Sequence, residues 1–460
     1  MSAITKKIIA ITITFLFFLQ CNLSTQTTQA VGREINADYL GVSPGRFNSI
    51  KVTDIDKDRR MEILFGNNNG YINSIEYKDG SYIDEWQSPK IGTRAWGLEI
   101  GDPDNDGKDE VIAGDGDGYL YVMNYSSNKI EWRSKFIGRD VDGIKVGDID
   151  NDGNDEIVAG TGYKTDFPAG KLSVFRYNKM AKNVNDVFLP VKTFGLNGEI
   201  GFNESKHRGV AIADTDLDGQ IEIIVSSGVA QGERPGQGYL RIVDGKTGHH
   251  EWTSEDLNGD AEGVLAADID SDGVPEIVTG TGYRYQEGYV LIFKWDNKTH
   301  AYHNVWKSDN VGPKAYGLAA GDIDNDGVKE IVTGNQPGYI RVFNGVTHEL
   351  KWKSRLLSND VLGICLEDVN GDGTIEIVAA QGGYDGKGDF TSAYTAPHIY
   401  IINGMTYEIQ TVLGEIDYVA LAFQVTIVLL LIILLLAIKH YTNIRRKAKN
   451  ADTERGDVRR

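Results

Sequence analysis

The stretch Asp148-Ile-Asp-Asn-Asp-Gly-Asn-Asp-Glu-Ile-Val-Ala-Gly160 contains a pattern that occurs seven times in this chain of 460 residues. The pattern is Asp, any residue, Asp or Asn, any residue, Asp, usually Gly, two further residues and Glu. Carboxylates on alternate residues of a tight loop converge on one point, and they repel one another unless a hard cation lies between them. One acidic turn would be weak evidence, but seven with the same ninth residue make chance implausible.

The four patterned side chains of each copy are the candidate metal ligands. Numbered in chain order as acidic loops 1 to 7, they are Asp54, Asp56, Asp58 and Glu62; Asp102, Asp104, Asp106 and Glu110; Asp148, Asp150, Asp152 and Glu156; Asp214, Asp216, Asp218 and Glu222; Asp268, Asp270, Asp272 and Glu276; Asp322, Asp324, Asp326 and Glu330; and Asp368, Asn370, Asp372 and Glu376. Calcium takes about six to eight oxygen ligands, and such loops supply them. We therefore expect up to seven bound calcium ions.

Two of the loops depart from the pattern. The sixth place is Gly in loops 2 to 7, where it allows a sharp turn, but it is Arg59 in loop 1. Loop 7 has Asn370 in place of a carboxylate. We expect loops 2, 3, 5 and 6, which are complete, to bind metal first.

The charge of the chain follows largely from these loops. The formal net charge is −19, and the seven loops, with four carboxylates each less one for Asn370, hold 27 of the 66 acidic residues. Seven calcium ions would reduce the net charge to about −5. The acidity is therefore local ligand chemistry, and it disfavours nucleic acid as a partner.

The spacing of the motifs predicts the fold. Successive copies begin 48, 46, 66, 54, 54 and 46 residues apart, and each unit has room for four short strands. In the second unit the strands are predicted before Asp102, after Glu110, after Gly118 and around Trp132. Repeats of this length with several strands each are typical of a β-propeller. We predict an all-β, seven-bladed propeller over residues 31–414.

Two further residues keep a fixed distance from the motif. A Gly precedes the first Asp by five residues in six copies, and a Trp-x-Ser precedes it by sixteen in five, at Trp86, Trp132, Trp252, Trp306 and Trp352. The interval stays constant although the repeats differ in length. It therefore predicts a rigid connection between blades, with the tryptophans packed there.

The repeat resembles the FG-GAP family, the calcium-bearing repeat of the integrin alpha-chain propeller, over residues 45–413. In that family the acidic loop joins the first and second strands of a blade and binds calcium, which implies ligand roles for Asp148, Asp150, Asp152 and Glu156 and for their counterparts. The long leg domains of integrins and their juxtamembrane signature are absent. The resemblance therefore implies an integrin-like propeller receptor and not an integrin.

The two ends of the chain predict export followed by anchoring. Residues 1–30 contain two lysines, an apolar run and a small-residue segment, as in a secretory signal. Residues 415–438 include the uncharged run Tyr418–Ile438, which is long enough to cross a bilayer as one α-helix. Residues 439–460 are basic, which predicts a short cytoplasmic tail and a single-pass, type I protein of the cell membrane. The tail could bind a cytoplasmic partner.

The variable connections between second and third strands are the predicted recognition surface. Loops on a rigid scaffold are common binding sites, and aromatic and Arg side chains favour interfaces. The candidate ligand-face residues are Tyr163, Phe167, Arg234, Tyr283, Arg284, Tyr285, Tyr384, Phe390 and Tyr394. We expect an extracellular protein or glycan as the ligand of an adhesion or recognition receptor.

Catalysis is not expected. The eight histidines are scattered, no nucleophile motif is present, and nearly every patterned carboxylate belongs to an acidic loop. Two alternatives remain: a lyase-like enzyme acting on polysaccharide, and an accessory scaffold subunit of a membrane complex.

Overall fold

The computed structural model describes residues 49–162, 170–183, 186–194, 205–229, 237–282, 287–357, 360–382 and 398–414. The chain divides into two compact units, Met1–Gly414 and Glu415–Arg460, and the second unit lies outside the described residues. The predicted signal, membrane segment and tail lie outside them as well. Within the described part of the chain, no helix has the length and apolar character needed to span a bilayer.

Seven four-stranded antiparallel sheets form the described part of the first unit, one for each sequence repeat. Blade 1 comprises β1 (Ile50–Thr53), β2 (Glu62–Gly66), β3 (Ile72–Lys78) and β4 (Ser81–Gln87); blade 2, β5 (Ala95–Gly101), β6 (Glu110–Asp115), β7 (Leu120–Asn124) and β8 (Lys129–Arg133); blade 3, β9 (Val141–Gly147), β10 (Glu156–Thr161), β11 (Leu172–Tyr177) and β12 (Phe188–Phe194).

The remaining blades repeat this order. Blade 4 comprises β13 (Ser205–Ala213), β14 (Glu222–Val229), β15 (Gly238–Asp244) and β16 (His250–Thr253); blade 5, β17 (Asp260–Ala267), β18 (Glu276–Gly282), β19 (Val290–Asp296) and β20 (Ala301–Lys307); blade 6, β21 (Lys314–Gly321), β22 (Glu330–Gln336), β23 (Ile340–Asn344) and β24 (Leu350–Lys353); blade 7, β25 (Asp360–Glu367), β26 (Glu376–Gly382), β27 (His398–Asn403) and β28 (Ile409–Gly414).

Within each blade the strands lie in chain order from the first, inner strand to the fourth, outer strand. Since neighbouring strands are antiparallel, the turns from first to second and from third to fourth strand share one end of the propeller. The turns from second to third strand and the links between blades share the other end. The inner strands surround a cavity of about 210 Å³. The predicted all-β, seven-bladed propeller is confirmed.

The tryptophans pack between blades, as predicted. Each contacts an aromatic ring of the next blade at centroid separations of 4.8–5.8 Å: Trp86 with Tyr125, Trp132 with Phe175 and Phe188, Trp252 with Phe293 and Tyr302, Trp306 with Phe343, and Trp352 with Tyr407. The Ser that lies two residues after each Trp forms a hydrogen bond to the start of the third strand of the same blade. For example, the hydroxyl of Ser134 accepts a hydrogen bond from the N–H of Leu120 at 2.9 Å.

The repeated glycine lies where inner strands approach one another most closely. A Cβ at Gly263 would come within 2.5 Å of the carbonyl oxygen of Tyr316, and one at Gly97 within 2.8 Å of the carbonyl oxygen of Val141. Both oxygens belong to the next blade. Glycine is therefore retained because no side chain fits between the backbones.

The ring closes between blades 7 and 1. Ile50 and Phe65 share a buried cluster with Val378, Ile399 and Leu413 of the last blade. The outer strand of blade 7 is Ile409–Gly414, from its own repeat. In the sequence, Tyr39 stands fifteen residues before Asp54, close to the interval of the Trp-x-Ser segments, which makes residues 33–44 a second candidate for that strand. They lie outside the described residues, and the sheet of blade 7 has its four strands without them.

Candidate metal centres

All seven acidic loops join the first and second strands of their blades, so they lie at one end of the propeller. The patterned side chains converge within single loops. In loop 4, ligand atoms of Asp214, Asp216, Asp218 and Glu222 lie within 4.8 Å of one another. Three-member groups of the same kind occur in loop 1 (Asp54, Asp56, Asp58), loop 2 (Asp102, Asp104, Glu110) and loop 3 (Asp148, Asp150, Glu156). The donors are all oxygens, which fits calcium.

The backbone of the loop is shaped the same way in all seven copies. In every loop, one carboxylate oxygen of the first Asp accepts a hydrogen bond from the N–H of the sixth residue at 2.8–3.1 Å. This first Asp is Asp54 in loop 1 and Asp368 in loop 7. The sixth residue has a positive φ, between 83° and 91° for the six glycines and 77° for Arg59. Loop 1 therefore keeps the turn but holds a side chain in a left-handed conformation that favours glycine.

The ninth-position Glu is buried beneath each loop. In six loops one of its oxygens accepts a hydrogen bond from the N–H of the second loop residue, as from Ile269 to Glu276 at 2.8 Å. Loop 2 has Pro103 at that place, and proline has no N–H to donate. The Oε2 of Glu110 therefore has no hydrogen-bond partner, although the side chain is only 1% exposed.

Burial among other carboxylates disfavours ionisation of several of these glutamates. Burial, with Asp104 and Glu131 nearby, raises the pKa of Glu110 to about 9. Burial likewise raises the pKa of Glu222 to about 8 and that of Glu62 to about 8. A bound divalent cation would supply positive charge among these carboxylates and favour their ionised form.

In loops 3, 5 and 6 a basic side chain of the same blade lies among the carboxylates. Lys294 Nζ lies 2.6 Å from Asp270, 2.8 Å from Asp272 and 2.5 Å from Glu276. Although burial opposes it, hydrogen bonds to these carboxylates raise the pKa of Lys294.

The other two loops have the same arrangement. Lys351 Nζ lies 2.6 Å from Asp324, 3.2 Å from Asp326 and 2.8 Å from Glu330. The guanidinium of Arg176 pairs with Asp150, with Asp152 at 3.4 Å and with Glu156 at 2.7 Å.

In blades 1, 2 and 4 the outer strand instead brings a further carboxylate to the loop. These are Glu85, Glu131 and Glu251, each immediately before the Trp of a Trp-x-Ser segment. Burial, with Asp104 nearby, raises the pKa of Glu131, and burial, with Asp216 nearby, raises that of Glu251 to about 7. In blade 1, Glu85 groups with Glu62 and Glu76, and Arg60 pairs with Glu76 and Asp58.

Sequence reasoning missed these flanking residues. The Glu-Trp dipeptides recur at a fixed distance from the motif and were open to detection. Arg176 and Lys294 were not, because their proximity depends on strand register. Arg176 pairs directly with Glu156 in the sheet, and Lys294 follows Phe293, the partner of Ile277.

The nine candidate ligand-face residues lie outside the described residues, in segments 163–169, 230–236, 283–286 and 383–397. The described strands that flank these segments are the second and third strands of blades 3, 4, 5 and 7. Their facing ends lie at the end of the propeller opposite the acidic loops.

Residues 268–333 match the model of the FG-GAP-like repeat family, a segment that begins at the first Asp of loop 5 and ends in β22. No curated protein matches the chain in sequence. The chain is similar in structure to Sqt1 of Saccharomyces cerevisiae, with 9% identity and a TM-score of 0.53 over 80% of this chain and 85% of that one. A BBS1N–ARL6DN complex aligns at 12% identity and a TM-score of 0.49 over 72% and 87%.

At such identities the likeness to Sqt1 shows the fold alone. The match of residues 268–333 and the seven repeated blades together support a β-propeller of the FG-GAP-like repeat type.

Proposed function

We propose that this protein is a calcium-stabilised recognition module displayed outside the cytoplasm and anchored by residues 415–438. An FG-GAP propeller suggests a ligand-binding or scaffold role. The proposal of a recognition module rests on a difference between the two ends of the propeller. One end holds the seven acidic loops, and the chain leaves the described strands for its long, variable segments at the other.

Calcium is supported by the chemistry of the donors. The loops offer oxygen ligands only, and Glu110 presents a buried carboxylate oxygen without a partner. Asp102, Asp104, Asp106 and Glu110 would hold the ion in loop 2, and the corresponding side chains would do so in other loops. When bound, the ion would neutralise carboxylates that otherwise repel one another, so its role is to stabilise the blade.

The ligand is proposed to be an extracellular protein or glycan. Tyr283, Arg284 and Tyr285 lie between β18 and β19, whose facing ends lie opposite the acidic loops. Their residue types bury large areas at interfaces at low cost in side-chain entropy. Rigid blades would position them for recognition, as scaffolds commonly do for functional loops.

A binding array of glycans and extracellular proteins, probed with the purified full chain in calcium and in chelator, tests this proposal. The variant Y283A/R284A should lose capture of the ligand while keeping the wild-type melting temperature. The variant K129M, an exposed lysine on β8, is the control and should bind normally. Normal binding by Y283A/R284A, together with loss of binding by folded variants of the acidic loops, would place recognition at the other end.

A further inference from the structure

We infer that the seven acidic loops are of two kinds: loops 3, 5 and 6 carry their own cation, Arg176, Lys294 or Lys351, whereas loops 2 and 4 depend on a bound calcium ion. The inference rests on the proposed calcium binding. It assigns the ion to particular blades, and it predicts fewer ions than loops. It also replaces the sequence-based expectation that loops 3, 5 and 6 are among the first to fill.

The internal cations contact the same side chains that would bind a metal ion. In loop 5 the three oxygens that contact Lys294 belong to Asp270, Asp272 and Glu276, which are three of the four patterned ligands. Lys351 contacts the corresponding three side chains of loop 6. A calcium ion and an ammonium group bound to the same oxygens would repel each other strongly in a half-buried site. One cation therefore excludes the other.

Loops 2 and 4 instead have an excess of negative charge. Among the described residues, the only basic group paired with a patterned ligand of loop 2 is the exposed Lys108, 3.5 Å from Asp106. The exposed Lys57 pairs with Asp109 of the same loop, which is not one of the four patterned ligands, and none of the described basic groups pairs with the carboxylates of loop 4. Instead, Glu131 and Glu251 bring a fifth carboxylate to their loops. The excess negative charge would be stable only with a cation.

Buried carboxylate oxygens without a hydrogen-bond partner occur in several loops, but in loops 2 and 4 one belongs to a ninth-position Glu that no basic side chain pairs with among the described residues. The corresponding Glu of loops 3, 5 and 6 pairs with the internal cation. Glu110 is 1% exposed and its Oε2 accepts no hydrogen bond; Glu222 is fully buried and the same holds for its Oε1. Both glutamates belong to groups whose ligand atoms lie within 4.8 Å of one another. A buried carboxylate oxygen is costly without a partner, and the converging group is where a metal would supply one.

The strand register makes the difference between blades systematic. The residue paired with the ninth-position Glu is Arg176 in blade 3 but Asn124 in blade 2 and Asp244 in blade 4. The residue before the Trp of the Trp-x-Ser segment is Lys351 in blade 6, but it is Glu131 in blade 2 and Glu251 in blade 4. Charge at these two positions therefore decides whether a blade supplies a cation.

Loops 1 and 7 are intermediate. Arg60 partly neutralises loop 1 through Asp58 and Glu76. In loop 7, Asn370 donates a hydrogen bond to Glu376 at 3.0 Å, and no basic side chain pairs with this loop among the described residues. With loops 3, 5 and 6 closed to metal, four of the seven loops are open to calcium.

The test is the number of calcium ions bound by the purified full chain, measured by equilibrium dialysis and metal analysis at saturating calcium. We expect no more than four. The variant K351M removes the internal cation of loop 6 and should bind one ion more than wild type. The control K353M changes the same residue type on the same strand, where Lys353 Nζ lies 4.1 Å from the centroid of the Tyr339 ring, away from the loop. It should bind the wild-type number.

Because K351M leaves the carboxylates of loop 6 without their internal cation, it is purified in calcium and counted without passing through the metal-free state. The variant E131Q keeps all four patterned ligands of loop 2 and should weaken one site about tenfold. More than four ions on the wild type, or no gain with K351M, would overturn the inference and leave calcium binding intact. A wild type that binds no calcium would overturn the proposed calcium role as well.

Discussion

Lys51 Nζ lies 2.7 Å from the carboxylate of Glu99 on the neighbouring blade, and Lys145 of the third blade approaches the same carboxylate at 2.9 Å. The three residues occupy the same place on successive inner strands, three residues before the first Asp of their loops. Although burial favours the neutral acid, the two ammonium groups lower the pKa of Glu99. This carboxylate therefore links three blades beside the central cavity.

The first prediction concerns the pH dependence of this link. The variant E99Q should lose about 2–3 kcal/mol of the free energy of unfolding at neutral pH, because two lysines then face each other without a carboxylate. The folded pKa lies below the unfolded value of about 4.3, so the stabilisation is present above that pH and is lost as pH falls through the folded pKa. Urea unfolding at several pH values should show the difference from wild type shrinking below about pH 4.

The exposed Glu349 provides the control for this experiment. The variant E349Q removes the same charge without a partner and should match wild type at every pH. A constant difference between E99Q and wild type down to pH 3 would show that the ion pairs do not stabilise the ring.

The second prediction concerns the turn of loop 1. Arg59 adopts a φ of 77°, where the other six loops have glycine. The variant R59G should raise the free energy of unfolding by about 0.5–1 kcal/mol, because relief of the left-handed strain exceeds the added entropy of the unfolded chain. Denaturant unfolding in calcium measures the change. The variant R59A keeps the strain and removes the same charge, so an equal gain in R59A would show that charge, not backbone conformation, is responsible.

The third prediction concerns removal of the metal. Thermal unfolding of the full chain in chelator should occur at least about 5 °C below that in millimolar calcium, since ligand binding to the folded state alone stabilises it. Affinities on the order of 10⁻⁴–10⁻³ M are typical of extracellular calcium modules. Magnesium should restore less stability, because it keeps its water ligands and demands an octahedral site. An identical melting temperature in chelator and in calcium would contradict a structural role for the loops.

The fourth prediction concerns the close approach of inner strands. The variant G263A should cost about 1–3 kcal/mol, because the new methyl group meets the carbonyl oxygen of Tyr316 at 2.5 Å and the backbone of the next blade must move. The control G116A places a methyl group at 3.6 Å from Arg94 Cβ, an ordinary contact, and should be near neutral. Equal stabilities of the two variants, measured by denaturant unfolding, would show that the glycine is not required for packing.

The strands were largely predictable because their signals are local. The alternation around Leu120–Asn124 and the acidic loop after Gly101 each lie within a few residues, and the same intervals return in every repeat. The interval from Trp to the motif indicated an inter-blade contact, which Trp132 makes with Phe175 and Phe188.

The net charge around each acidic loop could not be predicted from the local sequence pattern. Arg176 lies 20 residues after Glu156, and Lys351 lies 21 after Glu330, across connections of different length. Only the pairing of strands shows that both side chains meet an acidic loop. The same holds for Lys51 and Glu99, which are 48 residues apart and belong to different blades.

The sequence by itself determined the number of blades and the identity of the acidic loops, because each loop is made by nine consecutive residues and repeats in phase. Only the tertiary structure decided which loops already contain a cation and which carboxylates lie beside others. Electrostatic interactions depend on distance in space, and strand register, set by the packing of whole blades, brings together charges that are far apart along the chain.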